Sequence, residues 1–221
     1  MAGPARGCEI MTRMTPANTV VAAILLAVFA AVAGAWFASR HNEPTQPTSA
    51  QVLSTPRAIP AVPGVDHTGR AFSRAELEGR WSVVFFGFTH CPDVCPATLQ
   101  VLAGARKLLD DLPAQDQPQV LMISVDPGRD TPERLAEYVP FFHPEFRGLR
   151  VAEEHLPELT RGFGATYGYA PLGEDSYTVD HTTTLFLVDP QARVAAVLPG
   201  PHTAEGVATD LYRIITLENA R

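Results

Sequence analysis

From Trp81 to Phe88 (WSVVFFGF) the chain is apolar almost without a break, and two cysteines follow at once, in Thr89-His90-Cys91-Pro92-Asp93-Val94-Cys95-Pro96. A short continuous run rich in Val and Phe suits a central strand covered on both faces. Beyond it, Leu99, Leu102, Ala103, Leu108 and Leu109 recur at helical spacing, with Arg106, Lys107, Asp110 and Asp111 on the other side. This predicts an amphipathic helix from Pro96 to about Leu112. The thiols therefore stand where a buried strand runs into a helix. If the helix begins near Pro92, Cys91 and Cys95 lie about one turn apart with their sulfurs on the same side. The helix dipole and its free N–H groups would then favour a thiolate at Cys91.

The rest of the chain supplies the partners of that strand. Val65 to Phe72 reads as a hairpin around an Asp-His-Thr-Gly turn. Ser73-Arg74-Ala75-Glu76 has the form of a capping box opening a short helix that Gly79 ends. Gln119 to Val125 is a second buried strand, and the helical crossover between the two strands implies parallel pairing with a right-handed connection. Asp126 to Glu133 leaves it as a turn, with Asp130 or Thr131 capping a helix that runs to about Val139, before Pro140. Leu149 to Val151 reads as a short strand, His155 to Phe163 as a helix closed by Gly164, and Tyr167 to Ser176 as a loop. Thr184 to Asp189 and Val194 to Leu198 form an antiparallel pair, and Thr203 to Leu217 a closing helix with Val207, Leu211, Ile214 and Ile215 inward. Hairpin, βαβα, loop and ββα in that order make an α/β chain of thioredoxin-like arrangement, a central mixed sheet flanked by helices with an N-terminal β-hairpin added.

Ahead of this domain, Thr19 to Phe37 carries no charge, and a helix of that length spans about 30 Å of hydrocarbon. Residues 19–37 are expected to be a transmembrane anchor. Arg6 and Arg13 against Glu9 place residues 1–18 in the cytoplasm and the rest outside, so that the soluble domain would stand on the periplasmic side of the cytoplasmic membrane. A cleaved signal peptide is the alternative, since Ala33-Gly34-Ala35 has the small-residue form of a cleavage site. Residues 38–60, with Pro44, Pro47, Pro56 and Pro60 among Thr, Ser and Gln, read as an extended linker to a domain at 61–221. The net charge is −7 and no basic patch or arginine-rich arm is present, which argues against nucleic acid as a partner. Of the three cysteines, Cys8 precedes the apolar run. Cys91 and Cys95 alone would face an oxidising compartment, where a nearby pair is a disulfide or a ligand set.

Such a pair exchanges disulfides or binds a soft metal. Redox enzymes of this fold usually carry two residues between their cysteines. Here Pro92, Asp93 and Val94 intervene, which leaves room for an ion between the sulfurs. Two thiolates with an imidazole suit copper, the sulfurs favouring Cu(I) and the nitrogen admitting Cu(II). Zinc takes the same atoms but normally adds a fourth protein ligand in a structural site. His90 points away from Cys91 by strand alternation. His181, in Val179-Asp180-His181-Thr182 before a core strand, is the better third ligand, although a histidine there is otherwise an ordinary structural residue. Asp126, Arg129 and Asp130 read as helix-capping and locally paired groups. Phe85, Phe86 and Phe88 belong to the core, and Tyr167, Tyr169 and Tyr177 line the loop near the site or pack.

The segments GFTHCPDVCPATL, ISVDPGRDTPERLAEYV and VDHTTTLFLVDP closely resemble the Sco/SenC family of membrane-anchored copper-binding proteins that assist cytochrome c oxidase assembly. The match covers roughly Val65 to Ile215. The resemblance implies a thioredoxin-like domain behind a single anchor, copper bound by Cys91, Cys95 and His181, and an influence of Asp93 on metal binding. Thr182 stands where the family often has Ser, and the opening AIPAVPGV lacks the usual Phe and Leu alternation. The function implied is a copper chaperone that takes copper from a donor protein and delivers it to the dinuclear copper site of an oxidase subunit. A thiol–disulfide reductase, with Cys91 attacking and Cys95 resolving to keep that subunit's cysteines reduced, is the alternative. A peroxidase of peroxiredoxin type would need an arginine and threonine constellation that the sequence does not place.

Overall fold

The structure, a computed structural model, describes residues 25–34, 49–173 and 176–220. The chain divides into two units, Met1–Pro47 and Thr48–Arg221. In the first, residues 25–34 are helical (α1) and exposed. The flanks of the expected anchor and residues 1–18 lie outside the described residues, among which no helix is long and apolar enough to cross a membrane.

The second unit is built on the strand from which the sequence argument began. β4 (Ser82–Gly87) is buried at every position and pairs in parallel with β5 (Gln119–Ser124), Val84 opposite Leu121 and Phe86 opposite Ile123. β5 pairs in parallel with β6 (Arg147–Val151). On the other side of β4 come β9 (Leu185–Val188) and β10 (Arg193–Leu198), both antiparallel. The hairpin of β2 (Gly64–Asp66) and β3 (Ala71–Phe72) adds to β6, as the Asp-His-Thr-Gly turn predicts. With β1 (Gln51–Ala58), the sheet runs β1-β10-β9-β4-β5-β6-β2-β3.

Period-two alternation along β4 divides the core. Val83 and Phe85 join Leu99 and Leu102 of α2 (Val94–Leu108), Leu135 of α3 (Pro132–Phe142), and Leu211 and Ile215 of α5 (Ala204–Asn219). Val84, Phe86 and Phe88 face the other way, toward Leu156 and Phe163 of α4 (Leu156–Phe163). There the rings of Phe86, Phe163 and Phe186 meet edge-on at 5.3–5.9 Å between centroids, the separation that aromatic quadrupoles favour.

Four expectations need correction. Gln51–Ala58, inside the stretch read as a linker, is an edge strand on β10. Its side chains are mostly exposed, so it carries no apolar alternation to read, and Pro56 is tolerated because the register shifts between Val52 and Arg57. Arg57 ties it down by donating from Nη2 to the Phe163 carbonyl at 2.9 Å. Gly164 beside it has φ +76°, and a Cβ there would come within 2.5 Å of the same guanidinium. The Ser73 capping box is absent: Arg74–Leu77 is a single 3-10 turn with no side-chain cap. α3 continues through Pro140 to Phe142. Tyr167–Ser176 is not a loop, because β7 (Tyr167–Pro171) pairs with β8 (Tyr177–His181) as a separate two-stranded sheet.

Candidate metal centre

α2 starts at Val94, with Asp93 in the capping position, so Cys91 precedes the helix and Cys95 lies in its first turn. The two thiols are held differently. Cys91 is half-buried in the turn after β4 and its sulfur accepts the Cys95 backbone N–H at 3.4 Å, the role a side-chain oxygen plays at many helix starts. Cys95 is 1% exposed and packs on β4 at Gly87, where a Cβ would come within 3.0 Å of its sulfur. Neither is in a disulfide.

His181 arrives from the β7–β8 hairpin. Along β8, Tyr177, Val179 and His181 share one face; Val179 is buried and Asp180 exposed, so alternation turns His181 toward the domain. Its Nδ1 is 3.1 Å from the Thr182 carbonyl, which only accepts, so Nδ1 carries a proton and Nε2 is the nitrogen turned to the sulfurs. That Nε2 lies 3.5 Å from the Cys95 sulfur, and the ring stands perpendicular to Phe88 at 5.8 Å. The ligand atoms of Cys91, Cys95 and His181 all lie within 4.8 Å of one another.

The sulfurs divide one proton unequally. Cys91 is lowered to about 5, first by the Cys95 thiol donating to it and then, against the opposing effect of burial, by the backbone N–H groups of Cys95 and Asp93 and by His181. Cys95 is pushed up, first by that same hydrogen bond to Cys91 and then by burial. The resting pair is thus one thiolate and one thiol, with the His181 imidazole beside them. Two soft sulfurs and one nitrogen converge from two elements, an arrangement that fits Cu(I) or Cu(II). Among the described residues no carboxylate or further imidazole joins them as the fourth protein ligand typical of structural zinc.

Asp93 is exposed, makes no side-chain cap, and lines an open groove with Val94, Thr98, Thr183 and His202. Its visible effect on the centre is its backbone N–H on Cys91. His90 is exposed and turns its Nδ1 to the Thr89 hydroxyl, 3.2 Å away, and not to the sulfurs.

Sequence reasoning gave the turn after β5 too small a part. Asp130 is fully buried and does not cap α3, which Thr131 does by accepting from the Arg134 N–H. Its carboxylate instead accepts the Thr89 N–H at 3.1 Å, the Thr89 hydroxyl at 2.7 Å and the Ser124 hydroxyl at 2.6 Å. Asp126, also buried, accepts from the Arg129 Nε and from the Tyr177 hydroxyl at 2.8 Å. The signal available was the position of Asp126 to Asp130 at the C-terminal end of a parallel strand, where sites of open α/β sheets gather.

A thioredoxin-like domain that brings two helix-start thiols and one hairpin imidazole together is a candidate soft-metal carrier or dithiol reductant. The chain belongs to the SCO1/SenC family, whose model matches residues 60–216. It is similar to a Stutzerimonas stutzeri protein named for copper binding, 38% identical over 76% of this chain and 83% of that protein. Bovine mitochondrial SCO2 homolog is 35% identical over 67% of this chain, which spans 56% of that relative's length. Among solved structures, Arabidopsis thaliana ScoI with copper bound superposes with a TM-score of 0.66 at 27% identity, covering 74% of this chain and 99% of that one. Bradyrhizobium japonicum ScoI with copper bound gives 0.63 at 30% identity, over 71% and 98%.

Proposed function

We propose that this protein carries copper as cargo on Cys91, Cys95 and His181 and passes it to the dinuclear copper site of a cytochrome c oxidase subunit during assembly. The convergence of those three ligand atoms within 4.8 Å, from two separate elements, carries the reading. Two related structures are described with copper bound. The oxidase as destination is supported by the description of BsSco, which shares the fold at 19% identity, as one of the Sco family of cytochrome c oxidase assembly proteins. Residues 19–37 would anchor the domain to the cytoplasmic membrane with the centre on the periplasmic side, in reach of a copper donor protein; the uncharged run and the leading arginines support this.

Loading draws a proton from Cys95, which burial and the bond to Cys91 keep protonated, whereas Cys91 is already ionised at neutral pH. The centre is three-coordinate and asymmetric. Cys91 and His181 lie half-exposed while Cys95 is buried, so an incoming thiolate reaches the metal from the Cys91 and His181 side and cargo leaves by ligand exchange. Titrating Cu(I) and Cu(II) into the reduced protein tests this. One copper per chain is expected, with Cu(II) binding sharply weakened in His181→Ala. No stoichiometric binding, or Cu(II) binding indifferent to that change, overturns it.

The split between a low-pKa Cys91 and a protonated Cys95 also favours a second reading, a thiol–disulfide reductase. The Cys91 thiolate would attack a disulfide of the oxidase subunit and release one of its sulfurs as a thiolate, which takes the Cys95 proton. Cys95, now a thiolate, would then attack the Cys91 sulfur, closing an internal disulfide and freeing the second sulfur as a thiolate that is protonated from water. Disulfide reduction that survives His181→Ala and is lost in Cys91→Ser would select this role.

A further inference from the structure

Among the described residues the β7–β8 hairpin pairs with no other strand, and a two-stranded hairpin alone is marginally stable in water. Yet it must hold His181 within a few ångströms of two sulfurs that belong to another element. Besides Val179 in the core, what fastens it is the turn that follows β5. Tyr177, at the start of β8, donates its hydroxyl to Asp126 at 2.8 Å, and Arg129 donates from Nη1 to the Tyr177 carbonyl at 3.1 Å. The Arg129 guanidinium also lies over the Tyr177 ring, 3.8 Å from its centroid, and donates from Nε to Asp126. Tyr169 on β7 donates to the Val125 carbonyl at 3.3 Å and packs edge-on against Tyr177. The same turn holds the other half of the centre through Asp130, which binds both the backbone and the hydroxyl of Thr89, two residues before Cys91.

We infer that the turn from Asp126 to Asp130 is the bracket that sets the two halves of the centre against each other, with Arg129 and Tyr177 as positioning residues for His181. Neither touches the sulfurs or the imidazole. They act through β8, whose alternation carries their placement of Tyr177 along the strand to His181. A guanidinium suits this task because its planar fork serves a carboxylate and a carbonyl together while its face stacks on a ring, which an ammonium cannot do. The inference rests on the copper reading, because a metal held by three donors requires His181 to keep its distance from both sulfurs.

The test uses the full chain with Arg129→Gln, which removes the fork and the stacked cation, and Tyr177→Phe, which removes only the hydroxyl. In the metal-free reduced protein, amide hydrogen exchange across residues 177–182 is expected to quicken by about tenfold or more in Arg129→Gln, the loss of a charge-assisted hydrogen bond, and by less in Tyr177→Phe. Amides of β4 and β5 keep the parent rate. On copper addition, Cu(II) affinity falls about tenfold and the nitrogen hyperfine signature of the imidazole weakens, while Cu(I), which two sulfurs suffice to hold, binds nearly as before. Arg129→Lys, keeping the charge but not the fork, falls between. Parent exchange rates in both variants, quickening spread equally over β4 and β5, or a faster hairpin with unchanged Cu(II) spectra would each overturn the inference. If the parent itself takes up no copper, the copper reading fails, whereas the exchange rates still report whether the turn fastens the hairpin.

Discussion

Replacing Gly87 by alanine tests how closely the Cys95 sulfur is seated on β4. An added Cβ would lie 3.0 Å from that sulfur and 3.0 Å from a ring carbon of Phe85. Both contacts are tighter than side-chain carbons ordinarily make, so each neighbour must give by a few tenths of an ångström. Neither neighbour yields easily, Cys95 being 1% and Phe85 3% exposed. Overpacking of this kind costs about 1–3 kcal/mol, offset by about 0.4–1 kcal/mol from the stiffer unfolded chain. For a domain of this size each kcal/mol lowers Tm by about 2–4 °C, so calorimetry should show a drop of several degrees. The more telling change is chemical. Cys91 owes its low pKa first to the Cys95 thiol, and a displaced Cys95 donates less well. Thiolate ultraviolet absorbance against pH, in the reduced metal-free protein, should place the Cys91 midpoint clearly above about 5 in Gly87→Ala. A variant that melts with the parent and still titrates near 5 would refute the close seating of Cys95.

The thiol pair also sets a pH window for stability. Cys91 has a folded pKa below its ordinary value of 9.0, so its contribution is complete above that value and fades as pH falls toward about 5; Cys95 is raised, so its contribution is present below 9.0 and is lost as pH rises further. The urea stability of the reduced parent, less that of Cys91→Ser, should climb from pH 5 to 9, and a flat difference would count against the coupling. Asp66 anchors the β2–β3 turn through the Thr68 hydroxyl at 2.6 Å, the Arg70 N–H at 3.0 Å and the Arg147 guanidinium at 2.8 Å. Burial raises its pKa, but these bonds together hold it well below the carboxylate range. Asp66→Ala leaves the half-buried Arg147 without its partner and should cost about 3–5 kcal/mol in urea unfolding; a loss under about 1 kcal/mol would show that solvent replaces the carboxylate.

What could be read from the sequence was what burial writes into it. β4 and β5 are covered on both faces and α2 on one, so their apolar runs and stripes announce them, and the order of elements with parallel pairing follows. β1 hides because an edge strand with exposed side chains is specified by its backbone bonds to β10 and by Arg57, neither of which leaves a pattern. The β7–β8 hairpin hides for a related reason. Gly168, Gly173 and Pro171 are turn residues by composition, while what makes strands of their surroundings is Val179 in the core and the tyrosine contacts to the turn after β5. Cys91, Cys95 and His181 were legible as chemistry. The proximity of His181 was not, because it depends on that hairpin and its fastening.

The position of the helix start changes how the cysteine spacing should be understood. With α2 beginning at Val94, the three intervening residues do not put two thiols on one helical turn. They put Cys91 outside the helix as a sulfur cap and Cys95 inside it, facing β4. A cap sulfur is stabilised as an anion by the N–H groups it accepts and stays open to solvent on its other side, whereas the buried sulfur keeps its proton until something replaces it. The reductant role uses that inequality directly, presenting one nucleophile and withholding the other, while a carrier meets it as one sulfur ready to bind and one that gives up its proton to the metal. What separates the two roles is His181, which comes last among the groups that lower Cys91 and so adds little to the thiolate–thiol inequality that reduction needs, but supplies the third donor that Cu(II) needs. The fastening of the β7–β8 hairpin, which holds that third donor in place, is what a copper site asks of this fold beyond the thiol pair.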